Sequence, residues 1–322
     1  MRRAAMCIAW VILAWAATSS GSARGQVLYW AESGGIRRAA IDGAGAEDVV
    51  AGFPEAIALD PAAGLIYWTD NPPLASPLPG RIHRAGLDGS GDEILVSLLP
   101  YPLGIALLPA QGDLVPGKIY WTDGSANDIR RANLDGTSPE TLVTALASPF
   151  GIALDAAGGW MYWTHTTAVP KTGAIQRSRL DGSQVENLLT DLPGPTTGIA
   201  LDVPAGKMYW GYVDPNIDGL YAGMIKRCNL DGSDLETIAT GLFYPVGVAL
   251  DLDGGHVFWT DTTETWTGGS LHRANLDGSD AMLLLDDLDN LRGIALSPVP
   301  EPATLALVAL GGMGLFVRRK QR

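Results

Sequence analysis

The 322-residue chain is predicted to be all-β, a closed ring of six four-stranded antiparallel sheets in which the last inner strand joins the first three strands. Three recurrences predict this. An aromatic-Trp pair appears six times, at Tyr29-Trp30, Tyr67-Trp68, Tyr120-Trp121, Tyr162-Trp163, Tyr209-Trp210 and Phe258-Trp259. The mean interval is about 46 residues, the length of one four-stranded blade of a β-propeller. An aliphatic-x-Arg run follows each pair and ends in Asp-Gly, as in Ile36-x-Arg38 with Asp42-Gly43 and Ile129-x-Arg131 with Asp135-Gly136. The third recurrence is Gly-Ile-Ala-Leu or a close variant, beginning at Ala56, Gly104, Gly151, Gly198, Gly247 and Gly293.

Each recurrence has its own place in a blade. Inner strands of a ring are crowded and apolar on both faces, so the small Gly and Ala beside Ile and Leu belong innermost. The aromatic-Trp pair comes second, where the wedge between blades widens and large side chains fill it. The Arg-bearing strand is third, and Asp-Gly supplies the tight turn to a more polar outer strand such as Glu140–Val143, because Gly accepts positive φ without steric cost. The chain begins at a second strand, Val27–Trp30, and ends with a sixth inner strand, Gly293–Leu296. Blade one therefore combines both chain ends, and the ring closes without an open edge. Residues 26–301 number 276, the length six such units need, so a second domain has no residues left to form it.

Composition agrees. Gly 40 and Pro 21 suit a turn-rich chain, and ten Trp argue for a packed core. The formal charge is −13, but seven of the 22 basic residues lie in the end segments, which leaves 15 basic against 35 acidic side chains on residues 26–302, a net of −20. Such a body repels nucleic acid and anionic lipid, so no nucleic-acid partner is expected.

The ends read as addresses. Residues 1–25 carry Arg2 and Arg3, the apolar run Ala4–Ala17 and a small polar stretch, the three-part layout of a secretory signal peptide cleaved near Ala23 or Gly25. The C-terminus holds Pro300-Glu301-Pro302, the apolar run 303–317 and a basic tail, Arg318-Arg319-Lys320-Gln321-Arg322. These three parts resemble the PEP-CTERM sorting signal of Gram-negative-type bacteria. The resemblance implies transient inner-membrane tethering through 303–317, processing by exosortase-type machinery at Pro300, Glu301 and Pro302, and delivery to the outer surface or extracellular matrix. The expected domains are then a signal peptide at 1–25, the propeller at 26–298 and a sorting segment at 299–322. Cys7 lies in the leader and Cys228 falls within a strand pattern, so no disulfide is expected and Cys228 reads as a small buried apolar residue.

The runs Tyr-Trp-Thr-Asp at Tyr67–Asp70 and Tyr120–Asp123, Phe-Trp-Thr-Asp at Phe258–Asp261, Arg-x-x-Leu-Asp-Gly and Gly-Ile-Ala-Leu-Asp resemble the YWTD, or class B, repeats of the low-density lipoprotein receptor family. That resemblance covers residues 26–297 and implies a six-bladed propeller that binds partners without catalysis. Copies one, four and five depart from the motif at Ala31-Glu32, His165 and Gly211-Tyr212. The recurring Arg and Asp side chains are expected to fix turns and bridge strands.

Function is expected where loop length varies. Connections from outer to next inner strand share one face with the loops after the aromatic-Trp strands, whose aromatic-to-aliphatic steps run 7, 15, 9, 13, 16 and 13 residues. On this face Glu55, Leu103, Phe150, Thr197, Val246 and Arg292 precede the inner strands, with Phe53, Tyr101 and Tyr244 around them and Tyr212, Tyr221 and Trp266 on longer loops. The set offers an aromatic and apolar mouth with one carboxylate and one guanidinium, suited to a protein or polysaccharide at the cell surface. Asp214, Asn216 and Asp218 have the spacing of a Ca²⁺ loop, but Ile225 stands where a bidentate Glu is needed, so an ordinary turn competes with metal binding and no cofactor is required. No nucleophile elbow, zinc helix or phosphate loop occurs. The chain therefore reads as an exported, non-catalytic binding propeller. The alternatives are a metal-dependent hydrolase or lactonase-like enzyme and a matrix scaffold without a discrete ligand.

Overall fold

A computed structural model describes residues 26–73, 78–110, 116–167, 172–217, 220–263 and 267–297. The leader at 1–25 and the sorting segment, with Pro300, Glu301 and Pro302, lie outside these described residues. Twenty-four strands occur among them. In chain order they are β1 (Val27–Glu32), β2 (Gly34–Ala40), β3 (Glu47–Gly52), β4 (Pro54–Asp60), β5 (Leu65–Asp70), β6 (Gly80–Gly86), β7 (Glu93–Leu99), β8 (Pro102–Leu108), β9 (Lys118–Asp123), β10 (Asp128–Asn133), β11 (Glu140–Val143) and β12 (Pro149–Asp155). There follow β13 (Trp160–Thr166), β14 (Gly173–Arg179), β15 (Glu186–Leu192), β16 (Thr196–Asp202), β17 (Lys207–Ile217), β18 (Leu220–Asn229), β19 (Glu236–Leu242), β20 (Tyr244–Asp251), β21 (His256–Thr262), β22 (Gly269–Asn275), β23 (Met282–Leu288) and β24 (Ile294–Ser297).

Six sheets of four result, five from consecutive strands and one in the order β24-β1-β2-β3. Ser297 lies opposite Val27 and Ile294 opposite Trp30, so the two ends of the body close the ring in one antiparallel ladder. The predicted six-bladed propeller and its closure are as observed.

Register explains why the same residues recur. Each motif Trp sits opposite the inner-strand aliphatic, as in Trp121 with Ile105 and Trp259 with Val248. All six are buried and fill the wedges between blades. The inner Gly positions are sterically required: a Cβ on Gly104 would meet the Phe150 carbonyl oxygen at 2.4 Å, and one on Gly198 the Val246 oxygen at 2.5 Å. At these two positions the neighbouring inner strand leaves no room for a Cβ, whereas blade two has Ala56 at the equivalent place.

Two polar devices stitch neighbouring blades. The Thr122 hydroxyl accepts the Gly104 N–H (2.9 Å) within its blade and donates to the Phe150 carbonyl (2.6 Å) of the next. Thr69, Thr164 and Thr260 do the same. Where blade five has Gly211, the Thr197 hydroxyl donates to the Pro245 carbonyl at 2.7 Å. In blade one, with Ala31, the Gly293 N–H reaches the Glu55 carbonyl directly at 2.8 Å. The second device is the motif Arg. Arg131 pairs with Glu140 at 2.7 Å and donates to the Leu180 carbonyl of the next blade at 2.9 Å. Arg38, Arg84, Arg177 and Arg227 repeat this clasp. The turn aspartates accept N–H groups two residues on, as Asp88 does from Ser90 at 3.0 Å.

Candidate functional site

The variable-loop face opens at the axis of the ring. A channel of about 540 Å³ is lined there by Glu55, Leu103, Phe150 and Val246 above the inner Gly and Ile rows. A second cavity of about 720 Å³ lies beside it, where blades one and two meet, and is lined by Glu32, Ser33, Phe53, Pro54, Glu55, Asn71, Pro72, Pro73, Tyr101, Asn290 and Arg292. Glu55, Tyr101 and Arg292, predicted from three different blade starts, therefore converge.

Their electrostatics follow from burial. The Glu55 side chain is 11% exposed and its carboxylate lies 3.7 Å from Arg292 Nε. Desolvation raises the Glu55 pKa above the usual carboxylate value, while Arg292 and a hydrogen bond to Tyr101 oppose the rise. Burial, followed by the Glu55 charge, raises the Tyr101 phenol in turn. Glu32 is raised mainly by burial too, opposed by the Trp30 indole N–H that it accepts at 3.1 Å and by Arg37. Two desolvated carboxylates, a guanidinium, a phenol and two amides thus face a cavity rimmed by prolines and by Phe53, which is 46% exposed. The arrangement suits mixed polar and apolar contact with a protruding ligand segment.

Several expected residues take other places. Tyr212 lies on β17 rather than on a loop and is buried against Tyr162, Ile199 and Trp210. Thr197 is also buried, with its hydroxyl committed to the blade stitch. Leu103 and Val246 are buried in the channel wall, Phe150 and Tyr244 are partly buried, and Tyr221 lies on β18. Trp266 falls outside the described residues. The supposed Ca²⁺ loop forms a hairpin in which Ile217 pairs with Leu220, placing Asp214 and Asn216 on a strand, while Asp218 lies outside the described residues. Among the described residues no three His, Cys, Asp or Glu side chains gather as metal ligands would. Cys228 is fully buried and burial pushes its thiol up to about 12, consistent with a packing role.

Sequence reasoning missed Glu32, Asn71 and the three prolines as walls of the cavity. The signal was present in Glu32, which replaces the motif Asp of blade one, and in Asn71, which directly follows that Asp in blade two.

Fold and site together define a six-bladed β-propeller of the Tyr-Trp-Thr-Asp kind with an open axial mouth. The family model for the low-density lipoprotein receptor repeat class B matches residues 117–156 and 255–296, and that for the PEP-CTERM protein-sorting motif matches 298–320. The chain is 35% identical over 233 residues to a human low-density lipoprotein receptor-related protein 5-like protein, covering 72% of this chain and 82% of that one. It is 25% identical over 306 residues to low-density lipoprotein receptor-related protein 1 of Pyricularia oryzae, covering 87% and 94%. A propeller in a crystal structure of a nidogen/laminin complex superposes with a TM-score of 0.67 at 24% identity, covering 84% of this chain and 98% of that one. The chain belongs to the low-density lipoprotein receptor class B repeat family.

Proposed function

We propose that this protein is an exported, non-catalytic propeller that binds a protein through its variable-loop face. The observation that carries the reading is the convergence of Glu55, Tyr101 and Arg292, with exposed Phe53, on one cavity at the axial mouth. Two features support it further: the curated relatives carry receptor-related names, and the match to the sorting motif follows directly on the propeller. On this reading residues 1–25 direct export, 26–298 form the binding body, and 299–322 are the sorting segment that exosortase-type machinery processes at the surface of a Gram-negative-type cell. The reading needs no cofactor.

The test is retention of cell-envelope proteins on the immobilised body. The wild type is expected to retain a defined protein at a fixed stoichiometry. Phe53→Ala combined with Tyr101→Ala should release it, whereas Ala62→Glu on the opposite face should not. Equal retention by the mouth variant and the wild type would overturn the assignment of that face.

A further inference from the structure

The body has two unlike faces, and both of its ends leave from the same one. Inner strands run from the variable-loop mouth, at Glu55 and Arg292, towards the turns that lead into the second strands. β24 therefore ends at Ser297 on the face opposite the mouth, directly across from Val27. Among the described residues that face carries the six Asp-Gly turns, in which Asp42, Asp88, Asp135, Asp181, Asp231 and Asp277 are all exposed.

The match to the sorting motif begins at residue 298, immediately after β24, and the apolar run begins at 303. Five residues separate the ring-closing strand from the segment expected to enter the bilayer. Even fully extended they reach only about 17 Å. We infer that the tethered protein stands with its turn face against the membrane surface and its variable-loop mouth directed away from it. The inference rests on the anchoring role proposed for residues 303–317.

Reach and charge together set the geometry. Inner strands of seven residues make the body about 23 Å thick, so the mouth is held about 23 to 40 Å from the lipid surface. The exposed turn aspartates oppose adsorption onto anionic headgroups, and repulsion screened over about 8 Å leaves the face apposed to the surface rather than embedded in it. Tethering thus leaves the proposed binding cavity open to a partner. A long, flexible linker would let the body tumble and would remove this bias.

The experiment uses the full chain reconstituted through its C-terminal segment into phosphatidylglycerol-containing vesicles with acceptor-labelled headgroups. A donor dye is placed at Ala62→Cys on the turn face or Phe53→Cys at the mouth, and unsubstituted chain reports background labelling of the native cysteines. Energy transfer is expected to be several-fold higher from position 62 than from position 53. Insertion of twenty Gly/Ser residues between Ser297 and Pro298 should bring the two values together. Equal or reversed transfer in vesicle-bound chain would overturn the orientation while leaving the anchor intact. Failure of the chain to associate with vesicles at all would overturn the anchor, and the orientation with it.

Discussion

Single hydroxyl and carboxyl groups carry much of the contact between blades, and their worth can be read separately. Thr122 is fully buried and its hydroxyl joins two blades through Gly104 and Phe150. Thr122→Val keeps the shape but leaves a buried N–H and a buried carbonyl unpaired. It should cost about 1–3 kcal/mol in urea unfolding. Asp261 works differently. It accepts the Phe243 and Tyr244 N–H groups, yet burial raises its carboxyl from 3.8 to about 6. The folded chain holds that proton more tightly than the unfolded chain. Its contribution is therefore complete below about pH 4 and is lost as pH rises through about 6, a difference on the order of 3 kcal/mol. Asp88, Asp135, Asp181, Asp231 and Asp277 contribute in the opposite sense, because hydrogen bonds from Ser or Thr lower their pKa values. Asp261→Asn isolates the first effect. Unfolding measured from pH 4 to 7 should show the difference in stability between wild type and variant changing over that range, and a constant difference would contradict the assignment.

Among the elements, strands of the same rank differ where the sequence breaks its own repeat, and two of those breaks fall together. At the junction from blade six to blade one the motif Tyr is Phe258 and the position of the clasp Glu is Met282. Among the described residues Arg273 consequently bonds the Met282 sulfur alone, at 3.1 Å, and its Nε is buried without a partner there. The seam is filled instead by Leu28, Trp30, Phe258, Leu271, Leu291 and Ile294. Met282→Glu should restore the fifth-blade pattern, in which Arg227 holds Glu236, and raise stability by about 0.5–1 kcal/mol, since the pair is partly exposed. No change in the denaturation midpoint would show that the clasp matters only where the Tyr hydroxyl also takes part. The strands themselves were legible in the sequence because Trp, Arg and Gly each answer to one position in a blade. The places of Tyr212 and Thr197 were not. Both replace or supplement a motif residue, and whether such a side chain turns into the wedge depends on the room that Gly211 makes, where a Cβ would lie 2.1 Å from the Thr197 hydroxyl. Convergence of Glu55, Tyr101 and Arg292 was legible only as shared membership of one face, since their contact depends on how blades one and two meet.

For the molecule as a whole, the closing ladder within blade one lies beside the missing clasp between blades six and one, and this decides how the ring opens. All six blade-to-blade connections are continuous in the chain, β23 of blade six running on to β24 of blade one, and five of them carry the Arg clasp. The sixth, between blades six and one, relies on the Thr260 stitch and an apolar seam, and beside it blade one is closed by four register pairs between β24 and β1 with no chain connection between those two strands. Parting β24 from β1 exposes an unpaired edge and separates the Glu55–Arg292 pair, but it breaks no chain connection and no Arg clasp, so it is the least costly subglobal opening available to the ring. Amides of β24 and of its partner positions in β1 should therefore exchange with solvent faster than the matching amides of β4 with β5 or β12 with β13. Joining Ser297 to Val27 through an Asp-Ala-Ala-Gly-Gly turn, copied from Asp155–Gly159, makes the first two strands of blade one continuous like those of the other blades. By analogy with cross-links that close long loops, this should stabilise the body by about 4–5 kcal/mol and bring β24 exchange down to the level of the other inner strands. If β24 remains the fastest after joining, the opening arises in the seam between β22 and β2, and the Met282→Glu variant should then slow it where covalent closure does not.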